Sequence, residues 1–128
     1  MFYSLLSMQG WRFAMEDAHA VVLDLEAANG KLNCFFAVYD GHGGSNVAKF
    51  AGLNVHQRLA KEEAYRNGDY EVALKNAFLG TDEDILAEPT QSNAEYPSDG
   101  CTAIATLFTH DNKIYVANAG DSRCVLEV

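Results

Sequence analysis

The sequence predicts an α+β fold, an antiparallel β-sandwich with helices packed outside, and three observations carry that expectation. Short apolar and β-branched runs gather at both ends of the chain. A block of four-residue periodicity lies between them, and the turns joining the runs are short. Local hairpins with the helices collected in one block favour an antiparallel layered arrangement over a parallel doubly wound sheet.

Taken in order, Phe2 to Met8 and Ala18 to Leu25 read as strands separated by Gly10 and a charged segment. Asn33 to Tyr39 is almost wholly apolar and reads as a third. The Asn29-Gly30 pair before it accommodates positive φ at both turn positions, so the second and third strands are expected to pair antiparallel. After Gly43-Gly44 the period changes. Val47, Ala51, Val55 and Leu59 recur every fourth position with Phe50 on the same face, which predicts an amphipathic helix. A second helix is expected from an Asp69 cap, with Leu74, Ala77, Phe78, Thr81 and Ile85 on one face until Pro89 ends it. The two helices are expected to pack as a pair. Glu88 to Gly100 holds both prolines and reads as a surface loop. Three further strands are expected at Cys101 to Thr109, Ile114 to Ala119 and Arg123 to Val128, the first two joined by a turn at Asp111-Asn112.

Composition narrows the function classes. The chain has 128 residues, 48% of them apolar, enough for one domain or part of one. A formal charge of -9 argues against nucleic acid or an acidic membrane surface as partner, since both require basic patches. No run approaches the roughly eighteen apolar residues of a membrane span, and the start lacks the order of a secretory signal, so a cytoplasmic or nuclear protein is expected. Cys34, Cys101 and Cys124 stand singly in apolar stretches, without Cys-x-x-Cys spacing, and are expected to be buried thiols.

The carboxylates that matter lie at strand ends: Glu16 and Asp17 before the second strand, Asp40 closing the third, and Asp121 between the last two. Gathered at one rim they would repel one another without a cation. An all-oxygen donor set suits magnesium or manganese rather than zinc. Within Asp40-Gly41-His42-Gly43-Gly44, Asp40 is able to bridge two metals, Gly41 lets its backbone approach an ion, and His42, two residues on, is placed to face the same rim as a general acid. Arg12 offers a planar fork for phosphate oxygens. Each feature also has a plain alternative: the Asp-Gly-x-Gly-Gly run an ordinary strand-to-helix turn, Arg12 a surface ion pair with Glu16, and Asp121 a hairpin turn.

Their combination is more specific. The runs from Ser7 to Arg12, Met15 to His19, Phe35 to Gly44, Gly100 to Ala103 and Val116 to Arg123 resemble, in order, the N-terminal motifs of the metal-dependent type 2C serine/threonine protein phosphatases. The resemblance implies a two-metal site in which Asp40 bridges the metals, the Gly41 carbonyl ligates one, and Glu16 and Asp17 act mainly through water. It implies Arg12 as the phosphate clamp, His42 as general acid, and Asp121 as ligand of a further, weaker metal. Phosphoserine and phosphothreonine in proteins would be the substrates, attacked by metal-activated water.

Two aspartates that the family supplies from its C-terminal half have no counterpart here. Asp99-Gly100 belongs to the Gly-Cys-Thr-Ala motif and Asp111-Asn112 to a turn. Residues 1–128 are therefore expected to form a partial catalytic domain with exposed sheet edges, prone to dimerise or swap segments. The alternative function is a catalytically impaired phosphatase-like binding or regulatory protein.

Overall fold

A computed structural model describes residues 1–87 and 98–128. Its elements run β1 (Ala18–Glu26), β2 (Leu32–Tyr39), β3 (Gly41–His42), α1 (Asn46–Lys61), α2 (Glu63–Arg66), α3 (Tyr70–Ala87), β4 (Gly100–Cys101), β5 (Ala103–Phe108) and β6 (Ile114–Ala119). β1, β2, β5 and β6 form an antiparallel sheet in the order β1-β2-β5-β6. β3 and β4 make a separate antiparallel pair. The α+β class is as the sequence predicts.

The β1–β2 hairpin turns where expected. Gly30 takes φ 74, Asn29 accepts the Lys31 N–H through its side chain, and the Ala27 N–H bonds the Lys31 carbonyl at 2.8 Å. The β5–β6 turn uses Asn112 at φ 63, a conformation asparagine tolerates better than most residues. Alternation along the strands sends Phe35, Ala37, Tyr39, Ala105 and Leu107 into the core, where Ala48, Ala51, Val55 and Leu59 of α1 and Ala73, Leu74 and Ala77 of α3 meet them. Asp69 caps α3, its carboxylate accepting the Val72 N–H. Tyr65, Tyr70 and Tyr115 interlock edge to face, with ring centres 5.2 and 5.5 Å apart, and fasten the short α2 and the start of α3 to β6.

Three expectations are corrected. Phe2–Met8 forms no strand: its side chains are exposed, and Tyr3 alone of them stacks, on Phe36. Arg123–Val128 is also irregular and largely exposed. Both segments have the composition of strands, but a strand is held by a neighbouring ladder, and among the described residues neither segment meets one. The third concerns the thiols. Cys34 and Cys101 are half-buried rather than buried, and Cys124 is exposed because its segment leaves the sheet. The end of the second helix at Pro89 and the loop expected from Glu88 lie outside the described residues up to 97. No described helix is long and apolar enough to cross a membrane.

Candidate metal and phosphate site

Asp40 sits in the one-residue gap between β2 and β3, where the chain leaves the four-stranded sheet for the small β3–β4 pair. The segment preceding β1 folds back against this gap. Arg12, Glu16, Asp17, Asp40 and Gly41, together with Met8, Gln9, Ala14 and Met15, line one cavity of about 260 Å³. Five of the seven expected site residues are thus brought together. The approach is tight: Gly41 is buried, and a Cβ there would run into the Glu16 carbonyl. Glycine is required at this position so that two backbones can touch.

The electrostatics bear the mark of crowded carboxylates. The Asp17 carboxyl titrates above its ordinary range, first because the cavity partly desolvates it, then because Asp40 lies within hydrogen-bonding reach and repels its charge. Arg12 offsets part of this and Glu16 adds to it. Arg12 enters none of the ion pairs among the described residues, which join Arg58 to Glu62 and Asp84, and Lys113 to Asp111. Its backbone carbonyl is held by the Gln9 side chain at 2.8 Å, it lines the same cavity, and its positive charge is felt by Asp17.

The donor set is oxygen throughout, and like charges pressed together in one cavity are what a hard divalent cation relieves. The residues therefore fit magnesium or manganese in kind. They do not complete a cage: among the described residues no three Asp, Glu, His or Cys side chains stand ready to hold a metal.

His42 and Asp121 lie apart. The His42 ring packs over Gly100 and lines a different cavity, of about 510 Å³, with Tyr39, Asp82, Asp99 and Cys101 among its walls. Period-two spacing would set His42 on the side of Asp40 only along a continuous strand. Asp40 is outside any strand, and the break turns the ring away. Asp121 is exposed in the turn after β6 and is not among the residues lining the Asp40 cavity.

The sequence did not disclose what holds the Asp40–Asn46 loop. Residues Ser98–Thr102 run beside it: the Ser98 hydroxyl donates to the Gly43 carbonyl at 3.1 Å, Asp99 accepts the Asn46 N–H at 3.2 Å, and the Thr102 N–H donates to the Asp40 carbonyl at 2.9 Å. The Gly-Cys-Thr-Ala motif was the available signal, but a contact across some sixty positions leaves no periodicity to read. Cys101, opposite Gly41, is no candidate nucleophile, because burial raises its thiol and the charges of Asp40 and Asp82 raise it further.

Comparison with known proteins agrees with the motifs. The family model for protein phosphatase 2C matches residues 2–127. The chain is 53% identical to protein phosphatase 2C homolog 2 of Aspergillus fumigatus, over 98% of this chain and 31% of that protein. It is 51% identical to protein phosphatase 2C homolog 3 of Schizosaccharomyces pombe, over 97% of this chain and 29% of that protein. A more distant relative, probable protein phosphatase 2C 21 of Arabidopsis thaliana, is 36% identical over 97% of this chain and 46% of its own length. The chain spans about a third of the fungal relatives it matches. A match along nearly the whole sequence, at about half identity, joins the ordered motifs and the oxygen-lined cavity in one conclusion: the chain belongs to the protein phosphatase 2C family.

Proposed function

We propose that this chain carries one side of a divalent-cation-dependent site that removes phosphate from phosphoserine and phosphothreonine in proteins. The supporting observation is the cavity in which the Asp17 and Asp40 carboxyls meet beside the Arg12 guanidinium. Asp40, Asp17 and Glu16 would hold magnesium or manganese with the Gly41 carbonyl. Bound there, the ions supply Lewis-acid stabilisation of phosphate charge and an activated water near neutral pH. Arg12 would grip two phosphate oxygens with its fork, orienting the ester and balancing negative charge as the bond to the leaving oxygen breaks. His42 is the proposed proton donor to the leaving alkoxide. Its ring must turn from the cavity it lines now, or receive the leaving group from that side.

The experiment is hydrolysis of p-nitrophenyl phosphate by the full chain and by Asp40→Asn, with and without millimolar manganese. Manganese-dependent turnover lost in the variant supports the reading, and turnover retained in the variant refutes the role given to Asp40. A second reading, a phosphatase-like chain that binds phosphoproteins without turnover, is favoured by the separate cavity that His42 lines and, among the described residues, by the incomplete cation cage. It is the reading supported if the folded chain binds manganese and a phosphopeptide yet hydrolyses neither substrate.

A further inference from the structure

The two outer strands of the four-stranded sheet differ in how they meet solvent. β1 carries Asp24 and Glu26 and a register break between Val22 and Leu25, and charge and irregularity of this kind keep an edge from pairing with another chain. β6, from Ile114 to Ala119, contains no charged residue and no proline and keeps an unbroken register with β5. Pairing with β5 uses the backbone groups of alternate residues, and among the described residues no strand lies beyond β6 to take the others. Beside this edge runs a groove of about 600 Å³, walled by Lys75, Phe78 and Leu79 of α3 and by Val116 and Ala117 of β6. Leu79 is 56% exposed and Val116 51%.

We propose that β6 and the α3 wall beside it form an interface between two copies of this chain, joined antiparallel along β6 about a two-fold axis at Ala117. Side-chain alternation requires the axis to fall on a residue if both helix layers are to stay on one side of the joined sheet. Ala117 at the axis sets Tyr115 opposite the partner's Ala119, large beside small, and Val116 opposite the partner's Asn118 on the other face. α1 covers β1 and β2, and α3 beside it reaches β6. Two further strand widths, roughly 9–10 Å, then separate α3 from its counterpart, which matches the spacing of packed helices. The charges match as well. Tyr70 stacks on Tyr115 and Asp82 lines a cavity with Ala119, so α3 runs alongside β6 in the same direction with its middle near Ala117. The two-fold therefore brings Leu79 against its own counterpart and Lys75 against the partner's Asp82. Both charged residues are exposed, and neither enters an ion pair among the described residues. An uncharged edge that is complementary to itself in strand direction, side-chain size and flanking charge fits a second copy.

Sedimentation velocity of the full chain over a range of concentrations is the test, with circular dichroism to establish that each variant is folded. A reversible dimer is expected. Leu79→Glu changes an exposed position and sets like charges against each other at the axis, and should weaken the dimer by more than about tenfold. Lys75→Glu and Asp82→Lys should each weaken it by about tenfold, since each pair occurs twice, and the double variant should return close to wild type. Residues seven apart on one helix stand about 10 Å from each other, so such a recovery arises only between copies. A monomer at every concentration overturns the proposal, whether or not the edge then takes up an extended peptide. A dimer indifferent to Leu79→Glu and to the charge exchange overturns it too, because assembly then uses another face, such as the exposed Phe2–Met8 segment.

Discussion

Asp17 and Asp40 face each other across one cavity within hydrogen-bonding reach, and the Asp17 carboxyl holds its proton more tightly than a free aspartate does. A folded-state value above the unfolded one means that the stabilising contribution is present at acid pH and fades as pH rises through the raised value. At neutral pH without divalent cations, the pair therefore weakens the fold. Asp17→Asn is expected to raise the melting temperature under those conditions and to flatten the decline in stability on the alkaline side of the ordinary carboxylate range. The same variant should reduce the gain that manganese gives the wild type, and thermal melts with chelator and with manganese, across pH, measure both.

The close approach of Gly41 to the Glu16 carbonyl makes a second site-directed outcome specific. Gly41→Ala must push apart the two backbones that line the cavity. Strain of this kind typically costs about 1–3 kcal/mol. Urea denaturation should show that loss, and the manganese-dependent rise in melting temperature should shrink or disappear.

At the opposite end of the sheet, Asn33 is fully buried and serves several partners. It donates to the Tyr65 hydroxyl at 2.9 Å and accepts the His110 N–H at 3.0 Å, while the Tyr65 hydroxyl donates in turn to the Leu25 carbonyl at 3.2 Å. Burial pushes the Tyr65 hydroxyl up to about 12, which keeps it a donor throughout the working range. Asn33→Ala would leave buried polar groups without partners, at about 1–3 kcal/mol for each group so stranded. Denaturation of the variant should show a lower midpoint, with no change in manganese affinity per folded molecule.

In the β5–β6 turn, Asp111 accepts from Thr109 and pairs with Lys113, which holds its carboxyl down at about 2 against an ordinary 3.8. A depressed value stabilises the fold above the ordinary pKa, and the contribution is lost as pH falls through about 2. Asp111→Asn is expected to reduce the acid dependence of stability between those limits. Circular dichroism melts from pH 2 to 5 provide the check.

Much of this was legible in the sequence, and the exceptions share a cause. The hairpin at Asn29-Gly30, the α1 face of Val47, Ala51, Val55 and Leu59, and the Asp69 cap are local signals, and the structure holds each of them. Of the four carboxylates expected to meet at one rim, Glu16, Asp17 and Asp40 line one cavity, while Asp121, in the turn after the last strand, does not reach it. Phe2–Met8 and Arg123–Val128 look like strands by composition, but a strand is a pairing, and composition does not supply the partner. His42 departs from the expected rim because the strand breaks at Asp40 and period two does not carry through the break. The strip from Ser98 to Thr102 beside the Asp40 loop was invisible because nothing local marks a contact between residues so distant in sequence.

Whether the cavity shared by Asp17 and Asp40 holds a divalent cation is decided by calorimetric titration of manganese into the full chain and into Asp40→Asn. A ligand of the native state stabilises it by mass action, about 2.7 kcal/mol at a hundred times Kd, so melting curves of the same samples give an independent reading. Saturable binding and a raised melting temperature are expected in the wild type, both absent in Asp40→Asn. Equal binding by the two proteins would mean that Asp40 holds no cation.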